Sequence, residues 1–417
     1  MPTTKSNDRL LIIALFLIIT IDTMGVGFVW PLFGPLFTGK TTTLFASSVS
    51  MEWRNILYGI TIGTASLFTF LGAPILGDLS DYIGRRKVLL FCLIGTAIGM
   101  GISALGIIFN QVLLLIFSRA WLGAIAASQV IAQATIIDIS TKENKSAHLG
   151  VISAANNIGF IFGPIISSLL IDNTLVGWFN LTTPFYFAAI LALLSSIFLL
   201  KTYKKIDKTH ATNKTSFAKK LLVFTRAFTN KHIRMTALVY LCLQIGWALY
   251  LQTNFLALIQ KYNYSSRLLG YYLSLLGVIF CISLLVIVRV LTRHVSLKKI
   301  IYVTLAIAAI CCFANVIYNS EIGIWINILP MAGAIAIGSN AIITNLSDIA
   351  KENEQGWMMG IGNSLAALAW TVVPPVTGIL LAYSFNLPLI IAGVLFLLAV
   401  IPTPIVIPTQ SSREVFP

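Results

Sequence analysis

Gly77-Asp78-Leu79-Ser80-Asp81-Tyr82-Ile83-Gly84-Arg85-Arg86-Lys87 packs two aspartates and three consecutive cations into eleven residues, between two long apolar runs. Hydrocarbon does not accept such a segment, so it predicts a tight loop at a membrane surface. The runs on either side of it then predict membrane-spanning helices.

The rest of the chain follows the same plan. Of 417 residues, 57% are hydrophobic and only 10% charged, with a mean hydropathy of +0.90, whereas a soluble domain carries about a quarter charged residues. Runs near the 20 or so apolar residues that cross a bilayer fall at 10–33, 56–78, 87–109, 111–138, 146–171, 182–200, 235–259, 267–288, 299–319, 322–348, 355–384 and 386–407. The expected fold class is an all-α polytopic membrane protein with twelve transmembrane helices. The one long polar interruption, 201–234, predicts two six-helix bundles, 1–200 and 235–417, joined by a basic linker in which 216–229 has the pattern of an amphipathic surface helix.

The net charge of +14 could suggest nucleic acid, but the cations cluster in short loops, so no nucleic acid is expected and anionic lipid headgroups are the expected partner. Twenty-three of the 28 Lys and Arg fall on the side of the N-terminus, four on the other, and one, Arg119, inside a span. The positive-inside rule puts both termini and the opening loop in the cytoplasm. Lys5 and Arg9 precede an apolar run too long for a signal peptide, which reads as the first span. The five cysteines lie within apolar runs, without CxxC or a nearby histidine, so no disulfide, metal or other cofactor is expected. No Ser/His cluster or carboxylate pair points to an enzyme.

Ionisable groups inside a membrane are costly and default to function. Asp22 is the one acid deep within a span and Arg119 the one deep cation; all four histidines lie outside the spans. At about 1.5 Å per residue the two reach similar depth, close enough for a pair. Burial and a neighbouring arginine would pull the proton affinity of Asp22 in opposite directions, poising it to load and release a proton; a permanent structural ion pair is the other reading. In the fifth span, Gly150, Gly159, Gly163-Pro164 and Ser167-Ser168 put small residues along one face, which permits close helix packing and a bend at the proline.

Gly77-x-Leu79-Ser80-Asp81-x-x-Gly84-Arg85-Arg86 resembles the signature loop between the second and third helices of the major facilitator superfamily, with Tyr82 in place of a usual arginine. The pattern ending in Gly163-Pro164 resembles the fifth-helix motif of that superfamily's drug:proton antiporters, with Ser167 and Ser168 where two glycines are usual. Leu115-x-x-x-Arg119-x-x-x-Gly123 is similar to the fourth-helix arginine motif. Ile21 to Gly27 with Pro31, and Glu354-Gln355-Gly356, look most like the tetracycline-efflux branch. The second-half counterpart of the opening loop, around Arg289 and Arg293, lacks its glycines and aspartate.

The resemblance implies two bundles rocking around a central cavity, in a monomer of the bacterial inner membrane. Candidate cavity residues are Trp30, Gln129, Gln133, Gln244, Trp247, Gln252, Asn254, Asn340 and Asn345, about half of which are expected to serve as interhelical hydrogen bonds or interfacial anchors instead. It also implies a latch in which Asp78, Asp81, Arg85 and Arg86 act with Asp138, Arg85 pairing with Asp138 and Asp81 capping the eleventh span near Gln355-Gly356. The expected function is proton-coupled export of a small amphipathic organic molecule, with Asp22 exchanging the proton. A symporter importing a nutrient or siderophore and a non-transporting receptor remain alternatives.

Overall fold

A computed structural model describes residues 5–40, 42–141, 144–203, 231–349 and 355–401. They are almost entirely helical, with no strand among them. The helices are α1 (Lys5–Thr38), α2 (Met51–Ile83), α3 (Arg85–Ile108), α4 (Val112–Ile139, open between Ala124 and Ser128), α5 (Lys145–Leu170) and α6 (Thr183–Thr202). They continue with α7 (Lys231–Gln260), α8 (Ser266–His294, with a π turn at Ser283–Ile287), α9 (Leu297–Tyr318), α10 (Glu321–Ile349), α11 (Gln355–Tyr383) and α12 (Asn386–Val400). Eleven are long and apolar enough to cross a membrane, and α12 is apolar over its 15 residues. The end of the predicted last span, Glu354, and residues 204–230 of the linker, including its 216–229 segment, lie outside the described residues.

The side chains are arranged for lipid. α6 turns Ile190, Leu193, Leu194 and Ile197 outward and buries Ala188, Ala192, Ser195 and Ser196. α3 likewise exposes Phe91, Ile94 and Ile98 while burying Leu89, Cys92, Leu93 and Thr96. Small residues inside let helix backbones approach, and large apolar ones outside meet a solvent as apolar as themselves. The chain is an integral multi-pass membrane protein.

Contacts divide it into two units. Unit 1 comprises Met1–Ser50, Ile60–Lys214 and Asn263–Gly277; unit 2 comprises Met51–Gly59, Thr215–Tyr262 and Val278–Pro417. In unit 1, Leu15, Ile18 and Ile19 of α1, Leu89 and Leu93 of α3, Ile131 and Ile136 of α4 and Ile152 of α5 share one core. Where α2 crosses α4, a side chain at Gly72 would collide with the backbone of Ala124, and one at Gly123 with that of Ala65. The start of α8 joins this unit because Gly270 leaves no more than the room that Pro164 and Ser168 of α5 need, and Ser274 donates to the Ile161 carbonyl at 3.2 Å. Arg267 and Asp172 form an ion pair there.

Unit 2 has the reciprocal feature. The first turns of α2 pack on α11, with Gly59 against Pro374 and Gly378 against Asn55. Gln260 of α7 donates to the Asn55 side-chain oxygen at 2.6 Å.

Candidate functional site

The opening stretch is less a loop than a single joint. α2 continues to Ile83, α3 begins at Arg85, and Gly84 alone makes the turn with φ +100°. That angle is open to glycine and strained for other residues, while a Cβ there would meet nothing within 4 Å. The requirement at Gly84 is therefore conformational. At Gly77 the nearest atom to a Cβ, in Val130, is 3.9 Å away, so neither space nor backbone demands glycine at that position.

Arg85 is the hub of the joint. Its Nε donates to Asp138 of α4 at 2.5 Å, one Nη meets Asp81 at 2.9 Å, and the other donates to the Ser80 hydroxyl at 3.3 Å. Ser80 in turn donates to the Gly77 carbonyl at 2.6 Å. Arg86 donates to the Leu200 carbonyl at the end of α6, also at 2.6 Å. The pairing of Arg85 with Asp138 that the sequence predicts is present. Tyr203 joins from the end of α6: burial pushes its phenol above the ordinary range, opposed by the neighbouring Thr135 hydroxyl and by Arg85. Nothing in the sequence pointed to Tyr203. Glu354 lies outside the described residues, as do the side chains of Gln355 and Gly356, and with them the predicted Asp81 cap.

Asp22 is half-buried on α1, with Thr96 and Cys92 of α3 and Ser128 of α4 near its carboxylate. The α1 segment that carries it is clamped by α5. Thr23 donates to the Asn156 side-chain oxygen at 3.0 Å and Thr20 to the Ala155 carbonyl at 3.4 Å. A Cβ at Gly159 would strike the Thr20 carbonyl, and one at Gly163 would meet Met24 and Gly27. Gly150 faces open space. The small-residue pattern thus acts through Gly159 and Gly163-Pro164, against the turns on either side of Asp22.

Arg119 does not pair with Asp22. It is 5% exposed, donates to the Ser103 hydroxyl at 3.2 Å and places its guanidinium 5.3 Å from the centre of the Phe33 ring. Ser103 is bonded in turn to Ser118 at 2.9 Å. Phe33 lies eleven residues beyond Asp22 on α1, about 16 Å along the axis. The depth comparison fails because α1 runs on to Thr38 and α4 starts at Val112, so Arg119 sits near one end of its helix.

The candidate cavity residues separate by burial. Gln129 and Asn340 are exposed, and Gln133 and Trp30 half-buried. Gln252 and Asn254 are 0% and 1% exposed inside unit 2, bonded to the carbonyls of Pro374 at 2.9 Å and Tyr250 at 3.0 Å. Gln244 is buried beside Tyr240, Trp247 stacks near Tyr250 with ring centres 6.2 Å apart, and Asn345 is buried. Asn254 also heads an amide ladder that the sequence did not reveal: Asn315 donates to it at 3.1 Å, and Asn327 to Asn315 at 2.5 Å.

Apolar helices meeting at small residues, a carboxylate and an arginine held separately within them, and a charged joint at one end make up the build of a membrane transporter. The chain belongs to the Major Facilitator Superfamily, whose family profile matches residues 15–346. It is similar to the class H tetracycline resistance protein of Pasteurella multocida, 26% identical over 389 residues and 89% of each chain. The class C tetracycline resistance protein of Escherichia coli is 27% identical over 380 residues, covering 90% of this chain and 88% of the other. Among solved structures, the human organic anion transporter MFSD10 matches with a TM-score of 0.69 at 20% identity, over 95% of this chain and 99% of the other. A D-xylose-proton symporter matches with a TM-score of 0.70 at 16% identity, over 94% and 98%.

Proposed function

We propose that this protein is a proton-coupled antiporter that exports a small amphipathic organic molecule by alternating access. The observation that carries the reading is the clamp of Gly159 and Gly163 of α5 against the Thr20–Gly27 turns of α1 that bear Asp22. In the resemblance, the antiporter motif and the proton-carrying acid are separate features; here they share one helix crossing. Asp22 takes up and releases the proton, with the hydroxyl residues Thr96 and Ser128 beside its carboxylate. Arg119, about 16 Å further along, acts through the field it adds and through its hold on Ser103 and Phe33 rather than by direct pairing. The similar proteins named for tetracycline resistance support the drug-like substrate class.

On this reading both termini and the Gly84 joint face the cytoplasm, where the joint sets the balance between the transporter's two conformations. The test is a proteoliposome assay with an imposed pH gradient and tetracycline among the candidate compounds, with internal pH recorded. Protons should move opposite to the compound, and Asp22→Asn should abolish gradient-driven movement while leaving downhill exchange. Co-directional movement would establish the importer, and full-rate driven transport by Asp22→Asn would remove Asp22 from the coupling.

A further inference from the structure

The opening of α4 at Ile125, Ala126 and Ala127 is not dictated by its residues. No proline lies in α4, and Ala124, Ala126 and Ala127 are of the type with the highest helix propensity. The turn is closed by short local bonds, from the Ala126 N–H to the Gly123 carbonyl at 3.1 Å and from the Ala127 N–H to the Ile125 carbonyl at 2.8 Å. The N–H groups of Ser128, Gln129 and Val130 are left without a backbone acceptor among the described residues. A continuous helix would give them the carbonyls of Ala124, Ile125 and Ala126. Unpaired amides are costly inside a membrane, so α4 has a second, closed form within reach.

The two halves of α4 are fastened to different partners. The first is pinned: a Cβ at Gly72 of α2 would strike the Ala124 carbonyl, and Trp121 donates its indole N–H to the Gly95 carbonyl of α3 at 2.9 Å. The second half, Ser128–Ile139, has Asp22 near its first residue and Arg85 bound to Asp138. Those two residues are ten apart, about 15 Å along the helix. Ile131 and Ile136 hold this half in one core with Ile18 and Ile19, the α1 turn before Asp22. Ser128 is 1% exposed, and its hydroxyl has no hydrogen-bond partner although the carboxylate is near. A small displacement makes that bond. The titratable neighbour of Asp22 is Cys92 of α3, while Arg119 acts from about 16 Å further along.

We propose that the second half of α4 is a coupling rod between the proton site at Asp22 and the Gly84 joint. While Asp22 is charged, its carboxylate attracts the free amides and the hydroxyl at the start of the half-helix, and α4 stays open. Protonation removes that attraction, Ile125–Ala127 closes into continuous helix, and Asp138 carries the movement of the half-helix to Arg85. The inference rests on Asp22 as the proton carrier and adds the element through which its charge reaches the joint.

The full chain is purified in neutral detergent, and wild type, Asp22→Asn, Asp138→Asn and the double variant are compared at one pH. Hydrogen exchange of the amides between Trp121 and Ile131 should be about tenfold slower in Asp22→Asn than in wild type, because the closed turn protects them. Thermal unfolding should be non-additive, with the Tm of the double variant a few degrees from the sum of the single shifts, whereas sites this far apart without shared partners add. Unchanged exchange overturns the rod. Slower exchange with additive Tm shifts overturns it too, since the turn then responds to Asp22 without reaching the joint. Ser128→Ala keeps the charge, removes the hydroxyl and should slow the same amides, so it replaces Asp22→Asn if that variant does not fold. Neither readout involves transport, so failure of the rod is distinct from failure of Asp22 as the proton carrier.

Discussion

Gly77–Lys87 and Arg289–Lys299 occupy corresponding places in the two halves of the sequence, each between a second and a third helix, and they are built differently. In the first, Arg85 is held by Asp81, Asp138 and Ser80, and Arg86 by the end of α6, so one joint ties α2, α4 and α6 together. In the second, Val288–His294 buries no residue, and Arg289 and Arg293 are exposed with no carboxylate partner among the described residues. Cations near a membrane surface can serve two ends: they hold a segment on one side of the bilayer, and they brace helices. Arg85 and Arg86 of the first segment brace helices, and Arg289 and Arg293 of the second make no such tie among the described residues.

That contrast can be broken most directly at the ion pair. Arg85→Ala or Asp138→Asn removes one partner of a largely buried charged hydrogen bond, worth about 1.5–3 kcal/mol, and transport rates in proteoliposomes should fall at least tenfold while membrane insertion stays normal. A double-mutant cycle on the two residues should return a coupling of similar size. Gly84→Ala adds no clash but forces a side chain into a positive-φ conformation that L residues rarely adopt, at about 1–3 kcal/mol, and a several-fold loss of rate is expected. Tyr203→Phe sharpens the picture by removing a buried hydroxyl beside Thr135 and Arg85, at about 0.5–1.5 kcal/mol, with a rate loss of about threefold. The paired change Arg289→Ala and Arg293→Ala should alter turnover less than twofold; an effect as large as that of Arg85→Ala would show that the second segment braces as well.

Much of this was legible in the residues, and the parts that were not have separate causes. Hydropathy located the helices because its signal is local, whereas the pairing of Arg85 with Asp138, 53 residues apart, followed from the signature loop that the sequence resembles. The depth of Arg119 relative to Asp22 was misjudged because apolar runs report where lipid begins, while helices continue beyond them: α1 extends to Thr38, and α2 runs from Met51 to Ile83 where the apolar run gave 56–78. The roles of Gln252 and Asn254 were hidden for a different reason. An amide in a span reads the same whether it faces a cavity or a carbonyl of another helix, and only the rotation of α7 decides. Asn315, Asn327 and Tyr203 drew no notice because each is a single ordinary polar residue until the residue it bonds to is known.

The α5 pattern carries Ser167-Ser168 where the motif it resembles has glycines, and the crossing partner makes up the difference. Ser167 donates its hydroxyl to the Phe28 carbonyl at 3.2 Å, and Ser168 fits because the residue facing it on α8 is Gly270. The volume at a helix crossing belongs to the pair of helices, so a motif written for one of them records half of a shared quantity. A larger residue on one side is neutral wherever the other side has given up the same space. In this chain the trade runs between positions about a hundred residues apart.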